Sequence, residues 1–155
     1  MPITRRSFLY QTAFGTAAGA ALIASPALAA TPPVYTDRRG TAVDGSDVVA
    51  YFTQGEPVKG RRDITHQWNG ATWRFSTEEH RAAFAAAPEA YAPQYGGYCA
   101  WAVSQGYTAS TIPEAWKIVD GKLYLNYSRG VQRRWEVDIP ARIAEADANW
   151  PAVLT

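Results

Sequence analysis

The segment "ITHQWNGATWRF" (residues 64–75) alternates apolar and polar side chains on either side of Asn69-Gly70. A period of two places every second side chain on one face of a strand, and Asn-Gly is the strongest short signal for a two-residue hairpin turn. The register that follows sets Trp68 against Ala71, His66 against Trp73 and Ile64 against Phe75. These six share the apolar face, and Thr65, Gln67, Thr72 and Arg74 share the other. "IPEAWKIVDGKLYLNY" repeats the logic about Asp120-Gly121, with Ile118 against Leu123 and Trp116 against Leu125.

Between and after the hairpins the period lengthens to that of a helix. Ser76 with Glu79 has capping-box spacing, and His80, Ala83, Phe84 and Ala87 then lie on one helical face up to Pro88. "YCAWAVSQG", between Gly96-Gly97 and Gly106, predicts a short helix beginning near Tyr98 with Cys99 in its first turn. "YSRGVQRRWEV" and "IPARIAEADANWP" predict two closing helices. Asp138 caps the second, Pro140 lies in its first turn and Pro151 stops it. Its buried stripe is Ile139, Ile143, Ala146 and Trp150. "DVVAYF" (47–52) predicts a short buried strand or turn-strand, and "TQGEPVKGRRD" a loop. The two hairpins are alike in kind, but no long internal repeat is visible. The fold class is α+β: two β-hairpins, open to joining in one small antiparallel sheet, with helices packed on one side in a single domain.

The first 29 residues follow a different pattern. Arg5 and Arg6 precede a mildly apolar, small-residue stretch that ends in Ala27-Leu28-Ala29. This is a secretory signal with an A-x-A cleavage site, and the arginine pair followed by Phe8 and Leu9 resembles the twin-arginine type. A general secretory signal and a retained anchor are the alternatives. The expected partner of this segment is the twin-arginine export machinery, and the expected destination is the periplasm or another exported location. Residues 30–43 are expected to form an N-terminal arm, loose over the Pro- and charge-rich 30–40, and residues 44–151 the domain.

Charge narrows the function. The 15 basic residues, less Arg5 and Arg6, stand against 14 acidic ones, so the mature chain carries about −1. That balance gives no reason to expect nucleic-acid binding. No second apolar stretch is long enough to span a membrane.

Candidate chemistry centres on the soft and borderline donors, His66, His80 and Cys99, the only His and Cys residues in the chain. Two imidazoles and a thiolate suit Cu, Zn or Fe. His66 lies on the inner hairpin face and His80 on the inner face of the next helix, where they could converge. Cys99, near free N–H groups at a helix start, could be an activated thiol, and Gly96-Gly97 could let the backbone approach a ligand closely. Against this, a free cysteine is commonly a small buried hydrophobe, and His66 opposite Trp73 is an ordinary packing pair. Tyr95, Tyr98, Trp101, Tyr107, Trp116, Tyr124 and Tyr127 could line an aromatic cleft or fill the core. No phosphate loop or nucleophile elbow is present.

"DGSDVVAYFTQGEPVKG", "WNGATWRFSTEEHRAAFAAAPEAYAPQYGGYCAWAV" and "AWKIVDGKLYLNY", taken in order, resemble the exported YHS domain family over about Asp44 to Trp150. Shorter modules of that kind are thought to hold a metal through cysteines in a D-P-V-C and F-C-S-x-x-C-x-x-x-F pattern. Here those cysteine positions fall near Ala50, on Ser76 and on His80, with Phe75 and Phe84 as the flanking aromatics, so only His80 keeps a donor. With the twin-arginine-like signal, His80 at a ligand position and a Cys99 otherwise unexplained, the expectation is an exported binding protein of this type without catalysis, holding a transition metal or a metal-containing ligand. The alternatives are a metal-free structural or interaction domain with a protein or small-ligand partner, and a thiol-dependent redox enzyme using Cys99, which lacks a resolving cysteine.

Overall fold

A computed structural model describes residues 30–155. The signal features Arg5, Arg6, Ala27 and Ala29 lie outside the described residues. Both hairpins adopt the predicted register. β1 (Thr65–Trp68) pairs antiparallel with β2 (Ala71–Arg74), and β3 (Trp116–Val119) with β4 (Lys122–Leu125). Asn69 and Gly70 have φ of 49° and 76°, and Asp120 and Gly121 have φ of 49° and 73°. Positive φ at both turn positions is what a type I′ turn requires. The ladders form two separate two-stranded sheets, so the hairpins do not join. The free edge of β2 is taken instead by the incoming chain: Ala42 N–H donates to Thr72 O, and Thr72 N–H to Gly40 O.

The chain is α+β, with helices packed against the hairpins. α1 (Val48–Thr53) replaces the expected strand. Its two valines favour a strand by propensity, but Asp47 Oδ1 accepts from Val49 and Ala50 N–H and caps a helix there. α2 (Glu78–Ala86) is capped by Thr77, one residue later than the expected Ser76, because Ser76 is bonded elsewhere. α3 (Pro88–Tyr91) starts on its proline, and α4 (Ala100–Ser104) follows Cys99. α5 (Arg129–Glu136) is capped by Ser128 and α6 (Ile139–Asn149) by Asp138.

The two halves repeat one backbone plan. Each opens with three successive positive-φ residues: Val43, Asp44 and Gly45 in the first, Tyr95, Gly96 and Gly97 in the second. An extended residue follows (Ser46 or Tyr98), then the residue before a short buried helix (Asp47 before α1, Cys99 before α4). Asp47 N–H donates to Val58 O, and Cys99 N–H to Ala109 O. Each hairpin is closed by matching bonds, Phe75 N–H to Ile64 O and Asn126 N–H to Ala115 O. A hydroxyl-capped helix comes next. Its third residue, His80 or Val131, donates its N–H to the cap. Phe84 and Trp135, four residues further on, are both fully buried. A long internal repeat therefore exists in structure. Exchanges such as Asp47 for Cys99, Phe75 for Asn126 and His80 for Val131 hide it in the sequence.

β4 stands between two cores. Leu123 and Leu125 join Val48, Tyr51, Trp73, Phe75 and Phe84 on one side, while Tyr124 joins Tyr95, Val103, Trp135 and Ala146 on the other. The expected stripe of α6 packs here, with Ile139, Ile143 and Trp150 against the second core. The N-terminal arm is docked rather than loose. Val34 is buried, Tyr35 N–H donates to Gly96 O at 2.9 Å, and Tyr98 Oη donates to Pro32 O at 2.9 Å. Gly96 therefore approaches the protein's own arm: a Cβ on it would stand 1.9 Å from Pro33 O. No helix of the described residues is long and apolar enough to cross a membrane.

Gly121→Ala, where a Cβ meets nothing within 4 Å, is expected to cost about 1–2 kcal/mol for its left-handed backbone alone. Gly96→Ala adds a backbone clash to the same strain and is expected to cost clearly more. Urea melts of the two variants check this, and equal midpoints would contradict the docked arm.

Candidate functional site

Asp47 is completely buried. Beyond capping α1, its Oδ2 accepts from Ser76 N–H at 2.8 Å, Ser76 Oγ at 2.5 Å and His80 Nδ1 at 2.7 Å. A carboxylate deprived of water must be satisfied within the protein, and this one is, from three elements. His80 Nδ1–H donates to Asp47, and Nε2 faces Thr53 Oγ1, 3.3 Å away. His80 is thus a tie between α1 and α2, and both its nitrogens are engaged.

His66 sits on β1 with its ring edge-on to Phe84, centroids 6.0 Å apart. Trp68, Trp73 and Phe75 surround the same Phe84 ring at 5.0–5.8 Å. Its place is one of aromatic packing, as its pairing with Trp73 implies.

Cys99 precedes α4 instead of lying in its first turn, and it is buried, 1% exposed. Its Sγ accepts from Tyr127 N–H at 3.3 Å and donates to Asn126 Oδ1 at 3.6 Å. Asn126, itself fully buried, also accepts from Trp101 N–H at 3.2 Å. In the first half Asp47 supplies both the helix cap and the bond to Ser76 N–H. In the second, Asn126 supplies the oxygen over α4 and Cys99 takes the Tyr127 N–H. Burial pushes the Cys99 thiol above its ordinary value, and the neighbouring Ala102, Tyr127 and Trp101 N–H groups offset this only in part. The expectation of an activated thiolate is therefore corrected: the sulfur is a neutral group within a hydrogen-bond network.

The three predicted donors are not brought together. His66 packs on Phe84, His80 binds Asp47, and Cys99 binds Asn126. Among the described residues no three His, Cys, Asp or Glu side chains are grouped so as to hold a metal ion. A structural Cu, Zn or Fe centre needs three or four converging ligands, so this donor set does not fit one.

What the second half has instead is a cleft of about 270 Å³ over Cys99. Its walls include Trp101, Tyr107, Tyr127, Val131 and Arg134. Tyr107 and Tyr127 are 51% and 55% exposed. Tyr127 is held by the bond to Cys99, and Trp101 by the bond to Asn126 and by Arg142, whose guanidinium lies 5.0 Å above its ring. Sequence reasoning picked out the three aromatics but missed Asp47, Asn126 and Arg134. Asp47 before an apolar run was a readable cap signal, and Asn126 broke an otherwise apolar strand end. Comparison of the chain with protein-family models, with curated proteins and with solved structures finds no match.

Because the thiolate is the reactive form, alkylation of Cys99 by iodoacetamide is expected to be much slower in the native protein than in urea. The unfolded thiol accelerates as pH rises toward about 8.5, whereas the native thiol, its ionisation displaced upward, is expected to lag through that range. Native and unfolded rates that agree at pH 8 would contradict the buried, neutral thiol.

Proposed function

We propose that this chain is an exported domain of the YHS type that binds a small ligand, without catalysing its conversion and without a metal of its own. The observation that carries the proposal is the cleft over Cys99, where Tyr107 and Tyr127, two of the exposed large apolar side chains of the described residues, stand on the wall of one concavity. Concave, mostly apolar sites with a few fixed polar groups are the usual form of small-molecule pockets. A larger cleft, of about 410 Å³, lies where the arm meets Trp68, Tyr95 and Trp150. Its only charged lining group is Glu89, and it is a seam between packed elements. The twin-arginine-like leader supports export, and the motifs supporting the YHS resemblance run in order from Asp44 to Tyr127. The metal-holding reading finds no support in the separate neighbourhoods of His66, His80 and Cys99. Thiol catalysis finds none in a buried sulfur whose ionisation is suppressed.

Two measurements test this. Elemental analysis of protein purified from the periplasm is expected to find Cu, Zn and Fe well below one per chain; a stoichiometric metal lost in His80→Ala would overturn the metal-free assignment. Titration of the ¹⁵N-labelled mature chain with indole, as a neutral aromatic probe, is expected to shift the amides of Trp101, Tyr107 and Tyr127. Shifts confined to other regions would overturn the cleft as the binding site.

A further inference from the structure

We infer that the cleft over Cys99 takes a small planar aromatic carboxylate, its ring held among Trp101, Tyr107 and Tyr127 and its carboxylate bound by Arg134. The inference rests on the ligand-binding reading above and adds the ligand's chemistry.

The internal repeat supplies the argument for a ring. His80 and Val131 hold the same place, the third residue of the helix that follows a hairpin, each with its N–H on the capping hydroxyl. In the first half the His80 imidazole fills the space beside the residue that opens the short helix, joining Asp47 to Thr53. In the second half the shorter Val131 side chain lines a cleft beside Cys99. The fold thus provides, at one point of its plan, a space shaped by a planar ring. The protein fills it with its own side chain in one half and leaves it open to a ligand in the other. A volume of about 270 Å³ lies just below the usual range of drug-sized ligand pockets and suits a single ring system rather than a peptide.

Charge supplies the argument for an acid. Arg134 lines the cleft and extends into an adjoining groove that also contains Arg133 and Val131. Ala83 occupies the corresponding place in α2, immediately before the buried Phe84, as Arg134 immediately precedes the buried Trp135. No Asp or Glu lines either concavity. Of the five salt bridges among the described residues, which include Arg142 with Glu145 and Lys117 with Glu136, none engages Arg134. A guanidinium presents a rigid fork of donors that matches a carboxylate in a two-bond geometry. Beside it the neutral Cys99 sulfur repels no anion, and Trp101, Tyr107 and Tyr127 offer a ring offset or edge-to-face aromatic contacts.

The test is a pair of titrations followed by amide shifts, with indole and indole-3-carboxylate as probes. Both are expected to move the amides of Trp101, Tyr107 and Tyr127, with the carboxylate binding at least about tenfold more tightly, a difference of about 1.4 kcal/mol. Arg134→Gln, at an exposed side chain, is expected to bring indole and indole-3-carboxylate to equal affinity within that variant, and Arg134→Lys to restore part of the difference. If the carboxylate binds no more tightly than indole, or keeps its advantage in Arg134→Gln, the inference is overturned while the cleft stands as a binding site. If neither probe moves the cleft amides, the ligand-binding reading itself fails.

Discussion

A carboxylate with no access to water organises the first half of this protein. Asp47 accepts from Val49, Ala50 and Ser76 N–H, from Ser76 Oγ and from His80 Nδ1. An isolated buried charge would cost several kcal/mol even after relaxation, so the residue is tolerable only where all these donors arrive together. They come from the start of α1, the end of the first hairpin and the first turn of α2. Asp47 therefore ties the order of those elements to their geometry. It also explains two local outcomes, the helix at Val48–Thr53 where propensity favours a strand and the displacement of the α2 cap from Ser76 to Thr77.

The second half meets the same constraint with weaker groups. A sulfur cannot cap a helix as a carboxylate does, and Asn126 supplies the missing oxygen to Trp101 N–H while Cys99 accepts from Tyr127 N–H. Cys99 is thereby explained without metal or redox chemistry: it is the small, neutral group that fits between Asn126 and the backbone of Tyr127. With no carboxylate to bind, the position held by His80 in the first half carries Val131 in the second, and a cleft opens beside it. The same backbone plan thus yields a closed hydrogen-bonded knot in one half and an open aromatic pocket in the other.

Features governed by short-range rules were legible in the sequence. Asn69-Gly70 and Asp120-Gly121 determined both hairpin registers, because the turn conformation and the alternation of side chains specify the same pairing. Asp138 and Pro140 marked the start of α6 for similar reasons. Features set by tertiary bonding were not legible. "DVVAYF" is a strand by composition and a helix because of a cap whose other bonds come from residues distant in sequence. Residues 30–40 look like a loose arm by their prolines and charges, yet Val34 and Tyr35 are anchored beside Gly96. His66, His80 and Cys99 were grouped by their donor chemistry, whereas packing on Phe84 and hydrogen bonding to Asp47 and Asn126 hold them in separate neighbourhoods. Arg134 carried no signal among several arginines until the walls of the cleft were placed.

The central claim is that one side chain in each half holds the amide just before the capped helix: Asp47 holds Ser76 N–H, and Cys99 holds Tyr127 N–H. Neither amide belongs to a strand ladder or a helix of its own. Native-state hydrogen exchange at those two amides, followed through increasing urea, tests the claim directly. If the account holds, both exchange only through global unfolding, with the urea dependence of the most protected core amides. Exchange at either amide at the rate of an open loop, insensitive to urea, would contradict it.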